Sequence, residues 1–313
     1  MLMNKISLRQ AFGEALVIIA KERDDFVVLD ADVAGGTCTS IFRDQYPERF
    51  IQCGIAEQNM MCVAAGLSTL GIIPIFTAYA VFTAMRAIEQ ARNAVAYPNL
   101  NVKIVASHLG MDVGPDGPTH QSIEDISIYR AIPNFTVLAP ADPFEMEDAV
   151  RKMLDHKGPV YMRTGRSVVD YVYSKKKPFK IGRSDMLTEG GDVSIFALQS
   201  MVSPALMAAG MLKKEKIKAT VVNMSSIKPV DEALITRLAK STGVFVTAED
   251  HNIKGGIGSV IAEVTAAKCP VPIEFIGIND IFGESGEPHD VMKKYGLTAE
   301  NIVKKAKIAI KRK

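Results

Sequence analysis

Apolar and polar positions change period repeatedly along this chain. Apolar runs of strand length, Phe26–Val33, Ile51–Gly54, Ile72–Phe76, Val102–Ser107, Thr136–Ala139 and Val160–Arg163, alternate with segments whose apolar residues recur at helical spacing. Leu8–Lys21, Tyr79–Ala96 and Pro143–Asp155 are the clearest helices, the last with Asp142 as N-cap and Pro143 at the first helical position. From Tyr173 to Gly191 the pattern gives way to a polar, lysine-rich stretch that reads as a linker. Alternation then resumes with strands Val193–Leu198, Ala219–Asn223, Gly243–Ala248 and Ile273–Ile276. Helices follow near Ser203–Lys213, Asp231–Ala239, Gly258–Ala267 and Ala299–Ile310. The pattern predicts an α/β protein of two doubly wound domains, 1–173 and a smaller 192–313, joined by a linker over 174–191.

One stretch raises the question of a membrane span, because no charged residue falls between Glu57 and Arg86. A membrane-spanning helix needs only about 20 apolar positions. Gly71 and Pro74 break the run into a helical part, Gln58–Leu70, and a short β-branched part, so helix, turn and buried strand fit better. The opening residues, MLMNKISLRQAFGEAL, lack the regions of a signal peptide, and a cytoplasmic location is expected.

Composition adds limits rather than direction. Of 313 residues 48% are hydrophobic and 23% charged, with a net charge of +2, which gives no basis for nucleic-acid binding. The basic excess gathers in Lys304, Lys305, Lys307, Lys311, Arg312 and Lys313, as at a solvated helix end. Cys38, Cys53, Cys62 and Cys269 form no C-x-x-C pair and no zinc spacing with histidine, so they read as reduced, mostly buried thiols, and no metal site is expected on this chain.

Ligands of parallel α/β sheets gather beyond the carboxyl ends of strands, and three segments stand there. In Cys53-Gly54-Ile55-Ala56-Glu57-Gln58-Asn59-Met60, Glu57 opens a charge-free helix. An acid in a first helical turn complements the helix dipole. A carboxyl with no nearby cation beside an apolar helix also stands to keep its proton and donate a hydrogen bond to a ring nitrogen. The loop Ala106–Gln121, SHLGMDVGPDGPTHQ after its first residue, holds two of the five histidines, His108 and His120, with Asp112 and Asp116 between them. Single histidines at strand ends are commonly structural, but two flanking carboxylates at the ligand edge point to proton transfer on a polar substrate. In Tyr161-Met162-Arg163-Thr164-Gly165-Arg166, a guanidinium suits a phosphate or carboxylate, while Arg166 reads more readily as a surface ion pair. The glycines of Lys254–Ser259 fit neither phosphate-loop pattern and read as a tight turn into a helix.

Taken together, GIAEQNM, SHLGMDVGPDGPTHQ, VTAEDHNIKGGIGS and FGESGEP resemble the pyrimidine-binding and C-terminal domains of the transketolase family, from Ile6 to about Lys305. The resemblance implies ketol transfer between sugar phosphates with thiamine diphosphate. It matches Glu57 to the glutamate that binds the aminopyrimidine N1′, and Tyr79 and Phe82 to aromatic residues against that ring. It matches His108 and His120 to groups contacting the sugar, Asp116 to the aspartate reading hydroxyl stereochemistry, and Arg163 and Arg9 to phosphate-binding arginines.

Full-length members also carry a G-D-G motif and a downstream asparagine that hold Mg2+ or Ca2+ and the diphosphate. Neither occurs here. The resemblance therefore implies a separate N-terminal subunit carrying them, and a self-associated core within a heterotetramer. Asp30 stands where the family carries a serine near the sugar phosphate, which argues against the usual pentose phosphate. A 1-deoxyxylulose-5-phosphate synthase fragment shares the AEQ and THQ motifs, a 2-oxoacid dehydrogenase β subunit shares the size, and a non-catalytic subunit would share only the fold.

Overall fold

The computed structural model describes residues 5–313. Among these described residues, twelve strands form two sheets. The first contains β1 (Phe26–Asp30), β2 (Phe50–Gln52), β3 (Ile73–Tyr79), β4 (Lys103–Ser107), β5 (Thr136–Leu138) and β6 (Val160–Thr164), all parallel. The second contains β7 (Asp185–Thr188), β8 (Val193–Ala197), β9 (Ala219–Asn223), β11 (Phe245–Asn252) and β12 (Ile273–Ile278). β10 (Ser226–Lys228) belongs by sequence to the second half but joins the first sheet, antiparallel to β5, giving the order β10-β5-β6-β4-β3-β1-β2. The second sheet runs β12-β11-β8-β9-β7, with β7 antiparallel to β9.

β7 lies inside 174–191, so the stretch read as a linker is partly sheet. Its four residues are all half-buried, and an edge strand that short shows no period. The central strands β4, β6, β8 and β9 are buried throughout because helices cover both faces. On one face of the first sheet, the helices Leu8–Ala20 and Pro143–Asp155 pack over Phe26, Val28, Ile75, Val105 and Met162. On the other, a continuous apolar cluster runs from Met60, Phe76 and Ile104 through Tyr129 and Tyr161 into Phe196 and Phe245 of the second sheet. The two sheets thus share a core.

The charge-free stretch folds as the helix Glu57–Thr69 followed by β3, and among the described residues no helix is long and apolar enough to cross a membrane. Tyr79–Ala96, expected as one helix, begins instead with the last residue of β3. It continues as wide π-type turns, Phe82–Arg86 and Ala91–Ala96, around a short α-helical segment. The cysteines are free, as expected, but Cys62 is exposed and the other three are only partly buried.

Polar groups cross the sheet–sheet contact in pairs. Glu145, 1% exposed, accepts from the Ala141 N–H at 2.7 Å and from Asn223 Nδ2 of β9 at 3.0 Å. Arg163, at the end of β6 and 1% exposed, gives Nε to Asp125 Oδ2 at 2.9 Å and Nη2 to Oδ1 at 3.2 Å. Tyr161 donates to the same carboxylate at 2.6 Å, and Arg163 Nη2 also reaches the Asp250 carbonyl of β11 at 3.3 Å. Removing one partner of such a pair strands a buried charge, so Asp125→Asn should cost about 3–5 kcal/mol, read as a lowered urea midpoint.

Burial pushes the Glu145 carboxyl up to about 7. Between the ordinary glutamate value of 4.5 and about 7, the native state keeps a proton that the unfolded chain has released. Its stabilising contribution is complete below that window and is lost as pH rises through it. Urea midpoints measured from pH 4.5 to 7.5 should fall less steeply in Glu145→Gln than in the wild type.

Candidate functional site

The site forms where β3 and β4 end. Tyr79 closes β3, and His108 follows β4 with φ 60°, a left-handed conformation uncommon outside glycine. That turn lays the imidazole on the Tyr79 ring, centroids 3.9 Å apart. Phe82 lies 6.2 Å from Tyr79, and His120 meets Phe82 edge-on at 5.3 Å. Residues far apart in the chain thus collapse into one aromatic cluster at a sheet edge.

Arg9 comes from the first turn of the helix Leu8–Ala20, and its Nη1 donates to the Gly36 carbonyl at 2.6 Å. Gly36 lies after β1, beside the point where β1 passes chain to β2 on one side and pairs β3 on the other, the crevice where such sheets bind ligands. A Cβ on Gly36 would overlap the Tyr79 hydroxyl, so glycine permits the approach of this turn to the ring. Arg166 reaches back to the Val113 carbonyl of the 108–120 loop.

The charges agree with this grouping. Burial drives the His108 imidazole down to about 3, and the positive charges of Arg9, Arg166 and His120 push the same way. His108 is therefore neutral near pH 7, with Nδ1 2.9 Å from Ser107 Oγ. Burial and the nearby Asp116 carboxylate raise the Tyr79 phenol, against the pull of Arg9 and Arg166. Asp116 itself is exposed at the mouth of the loop.

Glu57 begins its helix and is 2% exposed. Its carboxylate is not without a cation: Arg86 Nη1 lies 3.3 Å from each oxygen, and the same guanidinium sits 4.6 Å over the Phe82 ring. The charge-free run that made Glu57 look isolated is closed in space by the arginine at its far end.

One expectation fails. Arg163 does not join the cluster, because its guanidinium is sealed inside the fold by Asp125, and Arg166, three residues on, takes the place at the edge. Asp30 is fully buried, with Oδ2 accepting from the Val33 N–H at 2.9 Å and Gln52 Nε2 at 3.0 Å, while its Oδ1 is buried without a partner. The glycine turn at 254–259 is no phosphate cradle: the Glu249 carboxylate takes the Ile257 and Gly258 N–H groups at 2.7 and 3.0 Å. Among the described residues, no group of three His, Cys, Asp or Glu side chains is placed to hold a metal ion.

The model of the transketolase pyrimidine-binding domain matches residues 4–170, and that of the transketolase C-terminal domain matches 182–302. The chain belongs to the transketolase family. It is 44% identical to a putative transketolase C-terminal section of Methanocaldococcus jannaschii, over 95% of this chain and 94% of that one. It is 41% identical to a 6-deoxy-6-sulfo-D-fructose transketolase subunit of Clostridium sp. (strain MSTE9), over 98% and 95%. A split-gene transketolase solved as an inactive β4 tetramer superposes with a TM-score of 0.91, at 46% identity, covering 99% of this chain and 100% of that one.

The pyrimidine half of the family's cofactor fits the residues present. Glu57 offers a buried carboxyl whose cation sits at the long end of hydrogen-bond range on a half-exposed side chain, and Phe82 offers a half-buried ring beside it. Neither Arg86 nor Gly36 was visible as a site residue in the transketolase motifs, since each acts through a neighbour. A direct check of the electrostatics is the imidazole NMR titration: His108 should hold neutral shifts throughout pH 5–8, because its proton uptake lies near pH 3.

Proposed function

We propose that this chain is the C-terminal subunit of a thiamine-diphosphate-dependent transketolase, moving a two-carbon ketol unit between sugar phosphates. The observation that carries the reading is the meeting of Tyr79, Phe82, His108 and His120 at one strand edge, flanked by Arg9, Arg166 and Asp116 and adjoining Glu57. When bound, thiamine diphosphate supplies the nucleophilic carbon. Glu57 would hold the pyrimidine N1′ by a hydrogen bond in place of its contact with Arg86, and Phe82 and Tyr79 would support the ring.

The protein groups divide the remaining work by charge. His108, neutral, directs hydrogen bonds at sugar hydroxyls, and His120, half-exposed, exchanges protons with the substrate oxygen. Asp116 accepts from a hydroxyl of the chain. Arg9 and Arg166 take the anionic tail in place of Arg163. The relative named for a sulfo sugar suggests testing a sulfonate beside a phosphate, since both end in a tetrahedral anionic group although they differ in charge.

The diphosphate and its Mg2+ or Ca2+ belong on an N-terminal subunit carrying G-D-G, and this chain also self-associates. Support comes from the relatives named as a C-terminal section and as one subunit, and from the split-gene structure. Tagging this chain in its native extract should recover such a partner in stoichiometric amount. In the assembled complex, Glu57→Ala should lower ketol transfer by about 10²–10⁴-fold. Arg166→Ala should lower kcat/KM for the phosphorylated sugar by roughly 10–100-fold through lost charged hydrogen bonds. Near wild-type transfer by Glu57→Ala would leave a non-catalytic role for the chain.

A further inference from the structure

The loop 108–120 carries three of the proposed site residues, and its own bonds are short-range: a 3-10 turn from Gly110 and the His120 N–H to the Gly117 carbonyl at 3.0 Å. It contains Gly110, Gly114 and Gly117, all at positive φ, and two prolines, and its tip is exposed. Its longer-range anchors include the other domain. Asp250, near the end of β11 and 4% exposed, accepts the Met111 N–H on Oδ1 at 2.8 Å and the Asp112 N–H on Oδ2 at 3.1 Å. The carboxylate is pressed so closely against Gly110 that a Cβ there would overlap it.

The contacts continue along the loop. Gly114 abuts Pro288 and the Gly286 carbonyl, Gly117 abuts Ser285, and Gln121 Nε2 donates to the Glu284 carbonyl at 2.9 Å. Asp112, held by Asp250 through its N–H, uses its own carboxylate to accept the Ser167 N–H at 3.0 Å, next to Arg166. Arg166 closes the circuit on the Val113 carbonyl. Burying a carboxyl without an ion pair is unfavourable, and burial pushes Asp250 up to about 7. Its two N–H partners and the glycine that makes room for it are therefore a built device rather than surface chemistry.

We propose that Asp250 is a positioning residue for ketol transfer: from the second domain it sets the loop that presents Asp116 and His120 and, through Asp112, the arginine for the anionic tail. This rests on the transketolase reading above. The role is indirect, since Asp250 touches backbone N–H groups and no substrate. It also gives the second domain a part in the chemistry although none of the proposed substrate contacts lies in it.

The test uses the assembled two-subunit complex with Asp250→Asn, which keeps one side-chain oxygen, and Asp250→Ala, which keeps none. Misplacing reacting groups by about an ångström costs on the order of a hundredfold. The expectation is that kcat/KM for the sugar falls by that order in Asp250→Ala, through kcat where His120 is displaced and through KM where Asp116 and Arg166 are, with Asp250→Asn between it and the wild type. The dissociation constant for thiamine diphosphate should change far less than kcat/KM for the sugar, because Glu57, Tyr79 and Phe82 lie outside the loop and meet it only through His108 and His120. Gly110→Ala should reproduce the defect by displacing the carboxylate, and combining it with Asp250→Ala should add little.

Hydrogen exchange on this chain alone supplies an arm independent of activity: the Met111 and Asp112 amides should exchange faster in both Asp250 variants while β1 and β3 stay protected. Unchanged exchange at these amides, or sugar and cofactor affinities falling together, overturns the proposal. An inactive wild-type complex would sink the transketolase reading instead, while the exchange data still decide whether Asp250 holds the loop. If Asp250→Ala does not fold, Asp250→Asn and Gly110→Ala decide the matter.

Discussion

A guanidinium sealed between two sheets needs its charge answered from every side, and Arg163 is answered by both domains. Asp125 takes its Nε and Nη2, the Asp250 carbonyl of β11 takes Nη2 again, and the Arg163 carbonyl accepts Gln199 Nε2 at 3.0 Å. Each bond is directional, and each partner sits on a different element. Apolar packing alone would let the sheets slide over the shared core at little cost, because hydrophobic attraction has no direction. The bonds that cross, Arg163 Nη2 to the Asp250 carbonyl and Gln199 Nε2 to the Arg163 carbonyl, help to fix their relative position, and the carboxyl edge of the first sheet depends on that position. Continuing β6 by a few residues reaches Arg166, and continuing from the Asp250 carbonyl to its side chain reaches the 108–120 loop.

The edge itself is built by placing side chains where the backbone is forced into less common shapes. His108 takes a left-handed turn directly after a buried strand, and the helical stretch after β3 opens with wide turns that bring Phe82 and Arg86 to the Glu57 carboxyl. Such geometry survives only where surrounding contacts over-determine it. Here the contacts are aromatic stacking on Tyr79, the close passage of Gly36 under that ring, and the second-domain wall behind the loop. Burial, with the positive charge of Arg9 and Arg166 behind it, keeps His108 neutral, so the histidine presents a hydrogen-bonding group rather than a further cation.

Much of this was legible in the sequence because it depends on local pattern. The parallel strands announce themselves as apolar runs, Asp142 and Pro143 mark their helix to the residue, and the transketolase motifs bring Glu57, His108, Asp116 and His120 into one sentence. What escaped depends on distance. β7 and β10 are too short to show a period, and their antiparallel pairing is set by partners far along the chain. Arg163 and Arg166 are both basic residues at the same strand end, and only the third dimension shows that Asp125 claims one and leaves the other at the edge. Glu57 looked uncharged in its surroundings because Arg86 lies 29 residues ahead, beyond any helical spacing.

The contrast between Arg163 and Arg86 shows how one fold uses the same chemistry for permanence and for exchange. Arg163 is held by two bonds to one carboxylate at 2.9 and 3.2 Å with almost no exposure, so breaking it would leave a charge in a dry interior. Arg86 meets a carboxylate that is just as buried, but through a single nitrogen at 3.3 Å, with its own side chain 49% exposed. Water can take back that guanidinium at little cost, while the carboxyl it leaves still needs a partner. A buried acid paired to an exposed base is therefore the less fixed of the two pairs, with the Phe82 ring 4.6 Å under the same guanidinium. The sequence places the two arginines at similar apolar boundaries; burial alone separates the strut from the latch.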